Sequence, residues 1–367
     1  MENRRKTFAI VTAVIVAVGA VGYEVLTSSA PSSPCASSSS SETNASVARP
    51  ALAPGETAST ARIGLPVGSG AGASAPSARA AGSRGSGPSS GVVQVVAAEN
   101  FWGSLVSQLG GTNASVLSIV TNPNTDPHEY EANSSDAIAI ADAQFVIVNG
   151  VGYDDWALQL IAAANNPDQI VLNVGDLNGV GVTGGIVTGN PHLWYNPVYV
   201  NRTVAAMFAD LVLVQPSSRS YFQANYAALN ASLSQLYAQA NQIKTLFAGT
   251  EVASTESIFV YLANYTGLDL VSPPAFMEAI AEGNDPPAQS VVEFQCQLES
   301  GHVVMLVYNE QTVTPITDQM KAIAAENNVS VVGITETIQP PNEVFQFWMG
   351  AEYQALENAL NSKVLGQ

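Results

Sequence analysis

The sequence predicts an α/β protein in which two α/β lobes with mostly parallel sheets are joined by one long rigid helix. Three observations support this fold class. Short apolar runs alternate with helical segments of about ten to fifteen residues, which is typical of crossover units on a parallel sheet. The alternation stops at residues 217–247, where apolar side chains recur at helical spacing without Pro or Gly. It resumes after Gly249 and continues to a last helix.

The N-terminal lobe is assigned to residues 92–214. Its first strand is a β-branched run at residues 92–98, and the helix that follows stops at Gly110-Gly111, which suits a helix C-terminal cap. The further predicted strands are residues 116–120, 145–148 and 170–174, and the predicted helices are residues 101–109, 134–143, 154–164 and 197–213. Strands and helices therefore take turns along the whole lobe, as a parallel sheet requires.

The connecting long helix is assigned to residues 215–248 and the C-terminal α/β lobe to residues 249–367. Ser217 and Ser218 are good N-terminal caps, and a helix of roughly thirty residues would be about 45 Å long. In the second lobe the predicted strands are residues 251–254, 268–272, 303–308 and 329–334, and the predicted helices are residues 258–265, 289–299, 315–326 and 343–360.

The first 91 residues precede the folded body. Arg4-Arg5-Lys6 is followed by an uncharged apolar run at residues 7–23 and by small residues at 28–30. Residues 1–30 are therefore interpreted as a signal peptide or an N-terminal membrane anchor. Residues 31–91 are rich in Ser, Ala, Gly and Pro and are expected to form a disordered linker. We expect an exported protein, periplasmic or extracellular, tethered at the membrane or cell envelope by its N-terminus.

The two cysteines are expected to be unpaired thiols. Cys35 lies in the linker and Cys296 in the folded body, so a disulfide would tie a disordered segment to a folded domain. Cys296 is expected to be buried. The residues before Cys35 lack the Leu-small-small pattern of a lipidated cysteine, which argues against lipidation without excluding it.

The folded body is strongly acidic. The whole chain has a formal net charge of −18, and residues 93–367 carry five Lys or Arg against 26 Asp or Glu. Because phosphate binding needs clustered cations, this composition argues against nucleic acid as a partner. An acidic body does suit the attraction of a cation.

Two of the three histidines lie in related motifs about sixty residues apart. His128 stands in residues 126–131, Asp-Pro-His-Glu-Tyr-Glu, and His192 in residues 190–197, Asn-Pro-His-Leu-Trp-Tyr-Asn-Pro. Imidazole is a common transition-metal ligand, and the proline before each histidine limits its backbone freedom. The pair of motifs therefore predicts a metal centre.

The second lobe offers carboxylates at equivalent places. Ligands of α/β proteins bind beyond the carboxyl ends of strands, and His128 follows the predicted strand 116–120. Glu256 follows the predicted strand 251–254, and Glu336 comes directly after the predicted strand 329–334. We therefore expect both lobes to donate ligands to a cleft between them.

The two histidine motifs, together with residues 256–263, Glu-Ser-Ile-Phe-Val-Tyr-Leu-Ala, closely resemble those of the zinc/manganese family of metal-binding solute receptors of ABC importers. The resemblance covers about residues 92–362. It implies one metal ion held between two lobes, with His128, His192, Glu256 and Glu336 as its ligands. It also implies an ABC permease in the membrane as the partner, and we expect the receptor to be a monomer.

The ligand types favour Mn2+, with Zn2+ next and Fe2+ less favoured. In the resembling receptors the third ligand is His in zinc-type members and Glu in manganese-type members, and Glu256 stands there. The fourth is usually Asp, and Glu336 is one methylene longer. Two imidazoles with two carboxylates form a harder donor set than three imidazoles with one carboxylate, and manganese prefers oxygen ligands. Zinc would still bind such a site tightly.

We expect a receptor that captures the metal and delivers it to the permease, without enzymatic activity. A site with four protein ligands is closed and leaves no position for an activated water. Two alternatives stay open. One is a metal-dependent hydrolase with an open coordination site, and the other is a surface adhesion protein with a structural metal.

The remaining candidates near these motifs are expected to have other roles. Glu129 and Glu131 do not form a metalloprotease motif, because no paired histidine lies four residues away on a helix. His302 matches no motif and is expected to be structural or exposed. The residues expected to support the site without ligating the metal are Asp126, Tyr130 and Trp194.

Overall fold

The computed structural model describes Cys35 and residues 91–122, 130–183 and 186–366. These residues confirm the predicted fold class, with two four-stranded parallel sheets. The N-terminal lobe has the strand order β2-β1-β3-β4. Its elements are β1 (Val93–Glu99), α1 (Asn100–Gly110), β2 (Ala114–Val120), α2 (Ser134–Asp142), β3 (Phe145–Val148), α3 (Asp155–Ala164), β4 (Ile170–Asn173), α4 (Val174–Asn178) and α5 (Pro197–Val214). A short antiparallel pair, β5 (Gly181–Thr183) and β6 (Ile186–Thr188), lies between α4 and α5 and was not predicted.

The predicted long helix is α6 (Arg219–Phe247), which follows a 3-10 turn at Pro216–Ser218. At 29 residues it is about 43 Å long. Its buried side chains lie mostly three, four or seven residues apart, so one stripe faces the protein interior: Phe222, Leu229, Leu233, Leu236, Tyr237, Ala240, Ile243 and Phe247. The helix packs on α1 and α5 of the first lobe and on elements of the second.

The C-terminal lobe repeats the parallel arrangement, with strand order β10-β9-β7-β8. Its elements are β7 (Glu251–Ser254), α7 (Val260–Thr266), β8 (Asp269–Leu270), α8 (Pro274–Ala281), α9 (Ala288–Glu299), β9 (Met305–Asn309), α10 (Pro315–Glu326), β10 (Ser330–Ile334) and α11 (Phe345–Leu360). Helix α8 was not predicted. Its first residue is Pro274, a residue that suits a helix start but also indicates a turn when only the sequence is read.

Both faces of each sheet are covered, as expected of parallel sheets. In β1, Val95 and Ala97 face the main core, whereas Val96 and Ala98 face an outer core formed with α2 and α3. The main core runs without a break from the first lobe through the α6 stripe into the second lobe. The second lobe has its own outer core, built around Phe276 and Phe294.

Buried hydrogen bonds join the lobes across the cleft. The Asn100 side chain exchanges hydrogen bonds with the backbone of Ile338, at 3.0 and 3.4 Å. The hydroxyl of Tyr195 lies 2.8 Å from the carbonyl oxygen of Thr335 and 2.7 Å from Glu352 Oε2. The strand ends that carry the predicted ligands are thereby held face to face.

The prediction of two unpaired thiols is wrong. Cys35 and Cys296 are both disulfide-bonded. A sulfur atom in a disulfide carries no thioether lipid, so this state of Cys35 excludes its lipidation. The boundaries predicted within residues 1–34 and 36–90 lie outside the described residues.

Candidate metal centre

Three of the four predicted ligands come together between the lobes. One donor atom each from His192, Glu256 and Glu336 lies within 4.8 Å of the other two, and the three side chains are no more than 1% exposed. His192 lies in the loop between β6 and α5. Glu256 follows β7 and Glu336 follows β10, each two residues beyond the strand's last residue. The carboxyl ends of the second lobe's strands therefore face the histidine loop of the first.

His128 lies outside the described residues, and so do Asp126 and Glu129. Its place in the site therefore stays a prediction. Tyr130 is described, and its hydroxyl donates to Asp136 Oδ2 at 2.9 Å, a carboxylate in the first turn of α2. Burial raises the pKa of this hydroxyl to about 12. His302 is exposed.

Asn190 sets the orientation of the His192 ring. Its side-chain oxygen accepts from the backbone N–H of His192 at 2.9 Å and lies 2.7 Å from Nδ1 of the ring. The Asn190 amide nitrogen donates to the carbonyl oxygen of Ser257, which leaves only the oxygen to face the histidine. Nδ1 therefore carries a proton in the neutral ring, and the lone pair is on Nε2. Nε2 lies 3.3 Å from Glu256 Oε1.

The Trp194 ring packs against this histidine. It is 1% exposed, stacks on Phe101 at a centroid distance of 4.1 Å and meets the His192 ring edge-on at 5.3 Å. These contacts restrict the imidazole to one position. The site therefore has a rigid aromatic wall on the side of the first lobe.

Two further polar residues contact the carboxylates, and neither was singled out from the sequence. The hydroxyl of Tyr153 donates to Glu336 Oε2 at 2.7 Å. The amide of Asn309, at the end of β9, donates to both Glu256 and Glu336. The reasoning that selected Glu256 and Glu336, a polar residue at a strand's carboxyl end, also applies to Asn309. For Tyr153 the sequence offered a weaker signal of a functional role, its place in the loop after β3.

The loop that presents Tyr153 is anchored by a buried pair of acids. Asp154 Oδ1 and Oδ2 accept from the backbone N–H groups of Gly150 and Asn149 at 2.8 and 2.6 Å. Burial raises the pKa of Asp154 to about 6. Burial, and then the nearby charge of Asp154, raise the pKa of Glu99 well above its usual value. The loop also holds Val151 at a φ of 59°, a conformation that β-branched residues rarely adopt.

A second buried carboxyl, Glu352, lies behind the Glu336 loop. Its Oε1 accepts from the backbone N–H of Thr335 at 2.9 Å. Burial raises the pKa of Glu352 to about 8. The Tyr195 hydroxyl has one hydrogen, but both the Thr335 carbonyl oxygen and Glu352 Oε2 lie within 2.8 Å of it. If Glu352 carries a proton, it can donate to the Tyr195 oxygen while the hydroxyl donates to Thr335, so both contacts are hydrogen bonds. The contact pattern and the raised pKa both indicate that Glu352 is a neutral acid.

A cavity of about 860 Å³ opens beside the centre. Asn190 and Ser257, which both lie against His192, are part of its wall. Three exposed carboxylates also line it: Asp155, Glu278 and Glu282. A cation approaching through this cavity would meet negative charge before it reached the buried donors.

Comparison with known proteins identifies the family of the chain. Residues 95–359 match the family model described as zinc-uptake complex component A, periplasmic. The chain belongs to this family. Members are substrate-binding proteins of metal ABC transporters and not enzymes, so the metallohydrolase alternative is set aside. The family binds divalent metal ions and works with an ABC permease.

Individual relatives of the family differ in the metal that their names give. The manganese-binding lipoprotein MntA of Halalkalibacterium halodurans is 25% identical over 247 residues, covering 66% of this chain and 81% of that protein. The periplasmic zinc-binding protein TroA of Treponema pallidum has a TM-score of 0.63 at 13% identity, over 74% of this chain and 99% of TroA.

A similar fold is found in a protein that is named for a different activity. The laminin-binding adhesin Lmb of Streptococcus agalactiae superimposes with a TM-score of 0.62 at 18% identity, covering 73% of this chain and 99% of Lmb. At this level of identity the likeness shows the fold alone. It therefore carries no argument for the adhesion alternative.

Proposed function

We propose that this protein captures a divalent transition metal, manganese or zinc, outside the cytoplasm and delivers it to an ABC permease in the membrane. The observation that carries the proposal is the convergence of His192, Glu256 and Glu336 from both lobes on one buried point. Because Nε2 of the neutral His192 ring and Glu256 Oε1 are both acceptors, their approach to 3.3 Å favours a cation between them. The family provides the transport role.

His128, the predicted ligand that lies outside the described residues, completes the proposal. With His128, the centre would offer two imidazoles and two carboxylates, a donor set that suits both proposed metals. Two negative charges would balance the charge of a divalent ion, which supports capture into a buried site. The export signal and the envelope tether predicted for residues 1–91 agree with a receptor that works outside the cytoplasm.

Calorimetric titration of His192→Ala with zinc and with manganese tests the proposal. We expect the variant to lose at least about a hundredfold in affinity for the metal that the wild type binds, because the ring supplies a ligand atom at the centre. His302→Ala is the matched control, since it removes an exposed histidine. Equal affinities for wild type and His192→Ala would contradict the proposal. The same titration with His128→Ala tests whether His128 is a ligand.

A further inference from the structure

Asn309 joins the two carboxylates of the candidate centre. It is the last residue of β9, and its side chain is fully buried. Its amide nitrogen has two hydrogens to donate and lies 3.0 Å from Glu256 Oε2, 3.0 Å from Thr312 Oγ1 and also within hydrogen-bonding distance of Glu336 Oε1. One neutral side chain thus contacts one oxygen atom of each carboxylate.

The orientation of this amide is fixed at its other end. Asn309 Oδ1 accepts from the backbone N–H of Gln311 at 2.9 Å, and a backbone N–H can only donate. The amide nitrogen must therefore face the carboxylates. The Gln311 side chain also holds the Glu336 loop, because its Oε1 accepts from the N–H groups of Glu336 and Thr337 at 2.8 and 2.9 Å.

The oxygen atoms that contact Asn309 are not those turned toward the rest of the site. Glu256 Oε2 contacts Asn309, whereas Glu256 Oε1 lies 3.3 Å from His192 Nε2. Glu336 Oε1 contacts Asn309, whereas Glu336 Oε2 accepts from the hydroxyl of Tyr153. The amide holds one oxygen of each carboxylate, which leaves the other oxygen to bind a metal. In Glu336 that other oxygen keeps one lone pair beside the hydrogen bond from Tyr153.

The number of oxygen atoms offered by two carboxylates distinguishes zinc from manganese. Zinc is almost always four-coordinate in closed protein sites, whereas manganese favours octahedral, oxygen-rich sites. If Glu256 and Glu336 each bind through one oxygen, the two carboxylates supply two donor atoms instead of four. We propose that Asn309 determines metal specificity by keeping both carboxylates monodentate, which favours zinc over manganese. This inference rests on the proposed function and specifies zinc as the preferred ion.

Asn309→Leu tests the inference, because leucine has a similar volume and no amide hydrogen. Competition titrations of the full chain with zinc and manganese give the ratio of the two affinities. We expect the preference for zinc over manganese to fall by about tenfold in the variant. X-ray absorption of the manganese-loaded protein should show more oxygen neighbours around the metal than in the wild type. Asn309→Ala provides a second variant should the leucine side chain prevent folding.

Thr312→Val is the matched control. It removes the third contact of the Asn309 amide and keeps both contacts to the carboxylates, so its affinity ratio should equal that of the wild type. An unchanged ratio in the Asn309 variants, or an equal loss of affinity for both metals, would overturn the inference. Failure of the proposed function would be seen separately, as a wild type that binds neither metal.

Discussion

Glu256 is a candidate donor whose replacement by histidine would exchange an oxygen ligand for a nitrogen ligand. It lies in the loop after β7, where its backbone carbonyl accepts from the Ser254 hydroxyl at 2.7 Å. We expect Glu256→His to shift the affinity ratio toward zinc by about tenfold or more, because imidazole replaces an oxygen donor. Competition titration with the two metals measures the shift. A ratio that stays at the wild-type value would show that residue 256 does not ligate.

For single residues, the sequence predicts candidate ligands, which are charged or carry an imidazole, better than it predicts the neutral residues that hydrogen-bond to those ligands. His192, Glu256 and Glu336 could be selected because their types and their places after strands both indicate ligands. Asn309 is neutral, and its importance depends on a bridge between two loops that are far apart in the chain. Residue types alone favour manganese, whereas the inference drawn from the contacts of Asn309 favours zinc. Competition titration of the wild type with both metals distinguishes these two interpretations.

Among the structural elements, α11 carries a titratable group that couples stability to pH. Glu352 on this helix has a pKa of about 8, raised from its usual value near 4.5 by burial. Between these two values the unfolded chain has lost the proton and the folded chain keeps it. Folding is therefore opposed by up to about 1.4 kcal/mol for each pH unit in this window, and stability falls as pH rises.

Glu352→Gln should remove this contribution, because an amide does not ionise. Urea unfolding of the metal-free protein at pH 5 and at pH 8 measures it. We expect the wild type to lose more stability than the variant between the two pH values. Glu99 and Asp154 act in the same direction, so the variant keeps part of the slope. Glu326→Gln, an exposed position on α10, is the control. Identical slopes in wild type and Glu352→Gln would exclude an ionisable role.

The elements themselves differ in how well the sequence predicts them. Helix α6 and strands β3 and β7 begin and end at, or within two residues of, the predicted positions, because an unbroken periodic or apolar pattern identifies each one. The β5–β6 pair was missed because each strand has only three residues, too few to show a clear alternation. Glu352 was also missed, since its burial depends on Tyr195 from the other lobe.

For the whole molecule, metal binding should add to the stability of the fold. The candidate ligands come from both lobes, so the unfolded chain cannot present the same site. A metal at one hundred times its dissociation constant should raise the free energy of unfolding by about 2.7 kcal/mol. Thermal unfolding with and without metal measures the gain. We expect Glu336→Ala to lose most of it and Glu326→Ala to keep it. A full gain in Glu336→Ala would argue that the ion binds elsewhere.

The continuous main core has a consequence for how this protein can be divided. Leu233, Leu236 and Ile243 on α6 belong to the same cluster as Phe101 of one half and Trp348 of the other. Cutting the chain at α6 would leave each fragment with a large apolar surface open to water. The halves look like two copies of one architectural unit, yet neither is an independent module. A chimaera that takes one half from a relative would also need the side chains of α6 that pack against that half.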